Sequence, residues 1–402
     1  MSAGPAGGDI MKDRYDVIVV GGGPAGSWTA RHAAMRGMSV LVLEKDREIG
    51  IPVRCAEGVS EEGLLRVVDT VPERWIAQRI SGVQLISPDG TVVQSNVNGL
   101  GMTLHRRIFD ADLAAMAGEA GADVVTRAYV HGVIMRDGFA CGVKVRHMGR
   151  EYEIRSTLVV GADGVESRVG RWAGLDTVTP LKEMDPCVQM VLANIDIEPD
   201  VVRLYFGQDV APGGYLWVFP KGPRMANVGL GISGTASRKK KAVEYLKAFV
   251  SRTFPRHTML CMVAGGVPTV KTLDRITGNG VMLVGDAAHQ ANPITGGGIL
   301  YGMQAGVIAG RVAAEAVRDG DVTEKRLSQY PREWHRGYGR ETERAYKIKP
   351  VITGFSDNDL NHIAGVLMNV PDNKRTILRI FKAALIHHPK LILEAAKIFN
   401  QA

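Results

Sequence analysis

Residues Tyr15 to Val20 (YDVIVV) are a short, β-branched apolar run that passes directly into Gly21-x-Gly23-x-x-Gly26. Such a run reads as a strand buried on both faces of a parallel sheet. The Ala-rich stretch from Ser27 to Arg36 then reads as a helix closed by Gly37, and Ser39 to Leu43 as a second buried strand ending in Glu44. This is one β-α-β unit, and glycines in that register are a dinucleotide fingerprint. Gly21 allows the tight turn, Gly23 lets backbone approach a pyrophosphate, and Gly26 lets helix and strand pack closely. The helix N-terminus offers its N–H groups to the anion. Glu44, 18 residues past Gly26, stands where a carboxylate accepts from ribose hydroxyls.

A second motif lies about 260 residues further on. Val281 to Val284 reads as a buried strand running into Gly285-Asp286-Ala287-Ala288-His289, followed by Pro293-x-x-Gly296-Gly297-Gly298-Ile299. A strand ending in Asp and a Gly-rich loop feeding a helix suit a chain hydroxyl and a second anion or ring. His289 reads as a structural hydrogen-bonding residue rather than a base.

The stretch Ala287 to Gly310 lacks Asp, Glu, Lys and Arg, but its proline, glycines and polar residues exclude a membrane span. Glycine is unusually frequent, 48 of 402 residues, as many tight turns and close backbone approaches require. The net charge of +7 by itself fits an anionic cofactor, an anionic lipid surface or nucleic acid equally. It is spread along the chain and no nucleic-acid module accompanies it, so nucleic acid is not an expected partner. The four cysteines, Cys55, Cys141, Cys187 and Cys261, form no CxxC pair. A disulfide framework is not expected, and no metal site is.

The rest of the chain sets the expected organisation. Ile51 to Ser60 reads as a loop, and Ile80 to Val97 as a hairpin turning at Pro88-Asp89-Gly90. Arg106 to Ala120 reads as a helix, Asp123 to Val133 as a strand, and Gly142 to Val160 as a strand pair turning at Met148-Gly149. Cys187 to Ile232 reads as an antiparallel sheet, Arg238 to Lys241 as the opening of a helix, and Gly302 to Arg318 as another helix. The expected fold is α/β, a nucleotide-binding Rossmann domain with an inserted antiparallel sheet and a C-terminal helical region. Its boundaries are 1–11 as a disordered lead-in and 12–75, 101–175 and 271–345 as the nucleotide domain. Residues 76–100 and 176–270 form the β-rich substrate domain, and 346–402 the helical end. Residues 371–402 are basic and rich in Ile and Leu, a composition that suits an amphipathic helix on an anionic membrane or a core-packing helix equally.

Three pieces, VIVVGGGPAG with VLVLEKD, GADGVESRVG and GDAAHQANPITGGG, resemble the glutathione-reductase-type FAD fold in its p-hydroxybenzoate-hydroxylase branch. Arg106-x-x-Phe109-Asp110 is similar to that branch's arginine-bearing helix. The resemblance implies FAD held by Gly21, Gly23, Ala25, Gly26 and Glu44. It implies that Arg106 meets the diphosphate or adenosine side, Val130 the adenine side and Asp286 the ribityl chain. Gly298 and Ile299 would then lie near the isoalloxazine.

Within the branch, the chain is most similar to geranylgeranyl reductases, in particular the archaeal digeranylgeranylglycerophospholipid reductases. Two motifs carry this, Ile51-Pro52-Val53-Arg54-Cys55-Ala56-Glu57-Gly58 and Pro212-x-Gly214-Tyr215-x-Trp217-x-Phe219-Pro220. The resemblance implies that Cys55, Ala56 and Gly58 approach the flavin and that Tyr215, Trp217 and Phe219 line a lipid tunnel. By themselves the residues leave other readings open: Cys55 as a small buried hydrophobe, and the aromatics as sheet core.

Reduction of an isolated polyprenyl double bond needs hydride and a proton. Cys55 is the expected proton donor, its pKa lowered by a nearby cation such as Arg54, with an ordered water as the rival. The expected partners are an isoprenoid phospholipid substrate, an external electron donor (reduced ferredoxin, a deazaflavin or NADPH) and a membrane surface. The expected location is cytoplasmic, peripheral on the inner face of the membrane. An FAD monooxygenase of the same fold and a non-catalytic prenyl-lipid carrier are the alternatives. The Cys loop with the Tyr-x-Trp-x-Phe-Pro motif speaks against the first. The intact glycine and acidic positions speak against the second.

Overall fold

The computed structural model describes residues 11–370. In chain order its first part forms β1 (Arg14–Val20), α1 (Pro24–Ala34), β2 (Val40–Leu43), β3 (Gly58–Val59), α2 (Glu61–Leu65), β4 (Ile76–Ile86) and β5 (Val92–Leu104). Next come α3 (Arg106–Glu119), β6 (Ala122–Val125), β7 (Ala128–Arg136), β8 (Phe139–His147), β9 (Arg150–Gly161) and α4 (Arg168–Trp172). The middle holds β10 (Met184–Ala193), β11 (Val201–Tyr205), β12 (Tyr215–Gly222), β13 (Met225–Gly231), α5 (Ala242–Thr253) and β14 (Thr258–Pro268). The last part is β15 (Thr277–Gly278), β16 (Val281–Leu283), α6 (Ile299–Arg318), α7 (Glu324–Leu327), α8 (Gln329–Trp334), α9 (Arg340–Thr353) and α10 (Asp357–Met368).

Two sheets organise these elements. The first runs β15-β16-β9-β1-β2-β6, with β7 and β8 attached to β9 as an antiparallel ribbon. Its centre is parallel, and Val17 to Val20 of β1 are buried there, as their unbroken apolar pattern requires. The expected strand from Asp123 to Val133 is two strands. The chain breaks at Arg127, which takes a positive φ of 55° and donates its N–H to the Asp46 carbonyl. The break turns a parallel edge strand into the first strand of the antiparallel ribbon.

The second sheet runs β14-β10-β13-β12-β11-β4-β5-β3. It is antiparallel except where β11 lies parallel to β4, an exception that the turn signals in the sequence do not carry. β14, which the sequence reading missed, forms one edge despite Gly265, Gly266 and Pro268. Two residues of the Cys loop, Gly58 and Val59, form the other edge by pairing with Thr103 and Met102. α5 covers one face of this sheet, where Leu246, Phe249 and Val250 pack with Val188, Met190, Leu216, Val218, Val228 and Leu230.

A third cluster joins the two halves. Trp28, Leu64, Trp75, Met102, Phe109 and Met303 pack together there, from α1, α2, the turn before β4, β5, α3 and α6. α9 and α10 close over the hairpin β4–β5, with Val351, Phe355, Ile363 and Leu367 against Val93. Of the expected lead-in, only Met11 is described, and it is buried in the first core. The basic segment 371–402 lies outside the described residues.

Candidate functional site

The two glycine motifs meet through the contact of α1 with α6. Gly302, Gly306 and Gly310 are four residues apart and share one face of α6. A Cβ would stand 3.1 Å from the Ala25 Cβ at Gly302, 3.0 Å from the Ala25 carbonyl at Gly306 and 2.5 Å from the Thr29 carbonyl at Gly310. This register, Ala25 to Thr29 against Gly302 to Gly310, makes the helices parallel, so their N-termini lie at the same end. Neither helix has a side-chain N-cap or an acid in its first turn. Both therefore present unsatisfied N–H groups and the positive end of the helix dipole to one place.

Around this place stand the expected nucleotide residues. Gly21 has a φ of 109°, and a Cβ there would lie 2.3 Å from the Ala162 carbonyl oxygen. At Gly26 a Cβ would lie 2.0 Å from the Gly21 carbonyl, whereas at Gly23 it would meet nothing within 4 Å. Gly26 is thus a packing position and Gly23 an open one, as a cradle for a diphosphate needs. Glu44 closes the loop, its Oε2 accepting from the Gly22 N–H at 2.8 Å and its Oε1 from the Asp46 N–H at 2.9 Å. The Ala128 N–H donates to the Glu44 carbonyl at 2.8 Å and carries β7, with buried Val130, to the same side. Asp286 sits 3.1 Å from where a Gly298 Cβ would be, at the start of α6, just before Ile299. Burial raises its pKa and the Arg106 charge opposes this. These positions fit a dinucleotide flavin: an open glycine turn, two uncapped helix starts and carboxylates at the sugar and chain ends.

Arg106 is not a surface cation. It forms a bidentate pair with Asp110 at 2.7 and 2.8 Å, with only 13% of its side chain exposed. Burial works against its charge, but Asp110, Cys55 and Glu57 outweigh it, and the guanidinium stays ionised. Its field therefore reaches the Cys loop as well as Asp286.

The Cys loop is fastened by side chains from the second sheet. The Gln189 Nε2 donates to the Cys55 carbonyl at 2.8 Å, and the Asn227 Nδ2 to the Ala56 carbonyl at 3.1 Å. Glu57 is 2% exposed and pairs with Lys221. The Cys55 Sγ accepts from the Glu57 N–H at 3.2 Å. Sequence reading missed Gln189, Asn227, Lys221 and Glu57. The available signal was a polar residue inside each apolar run, VQMVL and MANVG.

Tyr215, Trp217 and Phe219 alternate along β12 with the buried Leu216 and Val218, so they stand on the face opposite α5. They therefore lie outside the core beneath α5, although Trp217 is itself buried, with 7% exposed. Each aromatic touches an element of the expected flavin site. The Tyr215 hydroxyl donates to the Thr295 carbonyl at 2.5 Å, in the second glycine loop. The Trp217 Nε1 donates to the Gln189 Oε1 at 2.9 Å. The Phe219 ring covers Gly58, where a Cβ would come within 2.2 Å of it. Gly229, between Gln189 and Trp217 in the register, leaves room for the indole to lie across the sheet.

The expected lowering of the Cys55 pKa by Arg54 is corrected. Arg54 is exposed, beside Gly265. The cation that acts on the thiol is Arg106, and burial outweighs it, so the Cys55 pKa is raised above its ordinary value. Cys55 is therefore a neutral thiol at pH 7, suited to donate a proton rather than to attack. His289 is 3% exposed, with its Nε2 2.8 Å from the Thr179 hydroxyl, and burial pushes its pKa down to about 4. It is a neutral structural residue.

Residues 183–267 match the model of the geranylgeranyl reductase catalytic domain, and residues 16–60 that of the FAD dependent oxidoreductases. A digeranylgeranylglycerophospholipid reductase of Methanococcoides burtonii is 44% identical over 97% of this chain and 97% of its own length. Another, of Methanocella arvoryzae, is 44% identical over 96% of this chain and 99% of its own. A solved geranylgeranyl bacteriochlorophyll reductase-like protein of Thermoplasma acidophilum superimposes with a TM-score of 0.90 at 35% identity, covering 96% of this chain and 99% of that one.

Proposed function

Because this chain belongs to the geranylgeranyl reductase family, whose members align with nearly all of it, we propose that it is the FAD-dependent reductase of digeranylgeranylglycerophospholipid. It would saturate the isoprenoid double bonds in the making of archaeal membrane lipids. FAD, when bound and reduced by an external donor, supplies the hydride.

The chain's own residues then have three tasks. The cradle of Gly21, Gly23, Ala25 and Gly26, with Glu44, Arg106, Val130, Asp286, Gly298 and Ile299, holds the cofactor. Tyr215, Trp217 and Phe219 receive the isoprenoid chain and exclude water. Their electron-rich faces favour positive charge building at the substituted carbon of the alkene. Cys55, with Ala56 and Gly58 beside it, gives its thiol proton to one alkene carbon while hydride reaches the other. Solvent then restores the thiol proton.

The observation that carries this reading is the aromatic face of β12, set against both the Cys loop and the second glycine loop. The test is anaerobic incubation of the FAD-loaded, chemically reduced protein with detergent-dispersed digeranylgeranylglyceryl phospholipid. Mass spectrometry should show the addition of two hydrogen atoms per bond. An unchanged lipid, or an oxygen-dependent hydroxylated product in a parallel aerobic incubation, would overturn it.

A further inference from the structure

Among the described residues β14 is an edge strand that pairs with β10 alone. From Met259 to Pro268 it carries no charge. Met259, Leu260 and Met262 are 50%, 58% and 47% exposed. Sheets ordinarily guard such an edge with lysine, proline or a covering element. Met262 lies opposite Met190, and Met259 opposite Leu192, so both stand on the face that α5 covers further in. The segment that leads into this strand is strongly cationic. From Arg238 to Arg256 there are seven Lys and Arg residues and one carboxylate, Glu244. Arg252 and Arg256 are exposed, and neither forms an ion pair among the described residues.

We infer that β14, with the cationic end of α5, is the face by which this chain lies on an anionic lipid surface. The inference rests on the lipid-reductase reading and names the surface from which that substrate is drawn. Apolar side chains beside unpaired cations match an interface of acyl chains beneath anionic headgroups. The unpaired backbone groups of the edge need water, so the strand lies at headgroup depth and only its side chains dip below. The placement also serves the site. β10, the partner of β14, carries Gln189, and Gly265 lies opposite Cys187 on the face that bears Trp217. A chain leaving the membrane across this edge reaches the aromatic face directly.

The test is co-sedimentation of the full-length, FAD-loaded protein with phosphatidylcholine vesicles, with and without phosphatidylglycerol. Wild type should bind the anionic vesicles and release in high salt. The Arg252→Glu/Arg256→Glu variant should bind at least about 30-fold more weakly, from about 1 kcal/mol per cation near the surface. Leu260→Ser/Met262→Ser should weaken binding on the order of tenfold or more. Both variants should retain full activity on detergent-dispersed lipid. Unchanged vesicle binding in both, with loss only on charge reversal at Lys390 and Lys397, would transfer the role to the C-terminal segment and overturn the inference. So would a dimer in sedimentation that Leu260→Ser/Met262→Ser dissolves while vesicle binding stays absent. Wild type that reduces dispersed lipid but ignores anionic vesicles would overturn the docking face and leave the reductase reading standing. Wild type inactive on dispersed lipid would sink the reductase reading instead.

Discussion

The indole N–H of Trp217 donates to the side-chain oxygen of Gln189, and the nitrogen of that same amide donates to the Cys55 carbonyl. One side chain therefore connects the aromatic face to the loop that bears the thiol. A chain pressing on the indole bears on the position of the sulfur.

Gln189→Leu should show this connection. It keeps the volume but leaves a buried indole N–H and a carbonyl without partners, at about 1–3 kcal/mol for each. Urea unfolding should report a loss of that order. Turnover should fall about tenfold or more with FAD still bound, and peptide mapping after alkylation should find Cys55 modified faster. A variant with unchanged turnover and unchanged Cys55 labelling would dissociate the amide from the loop.

Cys55→Ala should fold, keep FAD and reduce lipid roughly 10²–10⁴-fold more slowly, the range of a general acid. Cys55→Ser should retain a fraction, since a hydroxyl relays a proton less readily. The pH profile has a definite sign. A thiol whose pKa is raised stays protonated through neutrality, so the wild-type rate should hold up to the ordinary thiol range and fall only above it. A rate already falling between pH 6 and 8 with the exponent of a single thiol would contradict this.

Glu44→Ala and Asp286→Ala should each weaken flavin retention. Each removes a charged hydrogen-bond acceptor, at about 1.5–3 kcal/mol, which is on the order of 10–150-fold in affinity. Flavin absorbance after repeated ultrafiltration measures it. Full occupancy of both variants would show that the cradle has been misassigned.

Lys221→Met should be among the more damaging single changes outside the flavin cradle. It strips the partner from Glu57, a buried carboxylate, at about 3 kcal/mol or more. The Glu57→Gln/Lys221→Met double variant should recover most of that loss in urea unfolding, because it removes the stranded charge. Equal stability of the single and double variants would show that the pair is idle.

Much of the cofactor half of this site is legible in the sequence, because a β-α-β turn is local. The strand, the glycines and Glu44 fall within about 30 residues, and their spacing alone states the chemistry. The fastening of the Cys loop is not local. Gln189, Lys221 and Asn227 reach it from 134, 164 and 171 residues away, and the polar interruption of VQMVL and MANVG marks two of them without saying what they hold. The protonation of Cys55 is equally hidden. The sequence shows Arg54 next to it, while the fold sends Arg54 outward and brings Arg106 in behind the loop. β14 escaped notice because its glycines and proline mimic a loop, whereas seating against β10 decides its form.

Gly58 and Val59 lie within the stretch that spells out the nucleotide unit, yet they are strand residues of the other sheet. Any chimaera that exchanges the lipid-binding half between relatives must therefore carry residues 51–60 along with 76–104 and 184–268. Cutting the chain at the boundary suggested by linear order would pair one parent's thiol with the other parent's anchors. Such a hybrid would still take up flavin and turn yellow while the thiol stood in the wrong place, so colour alone would be a misleading screen.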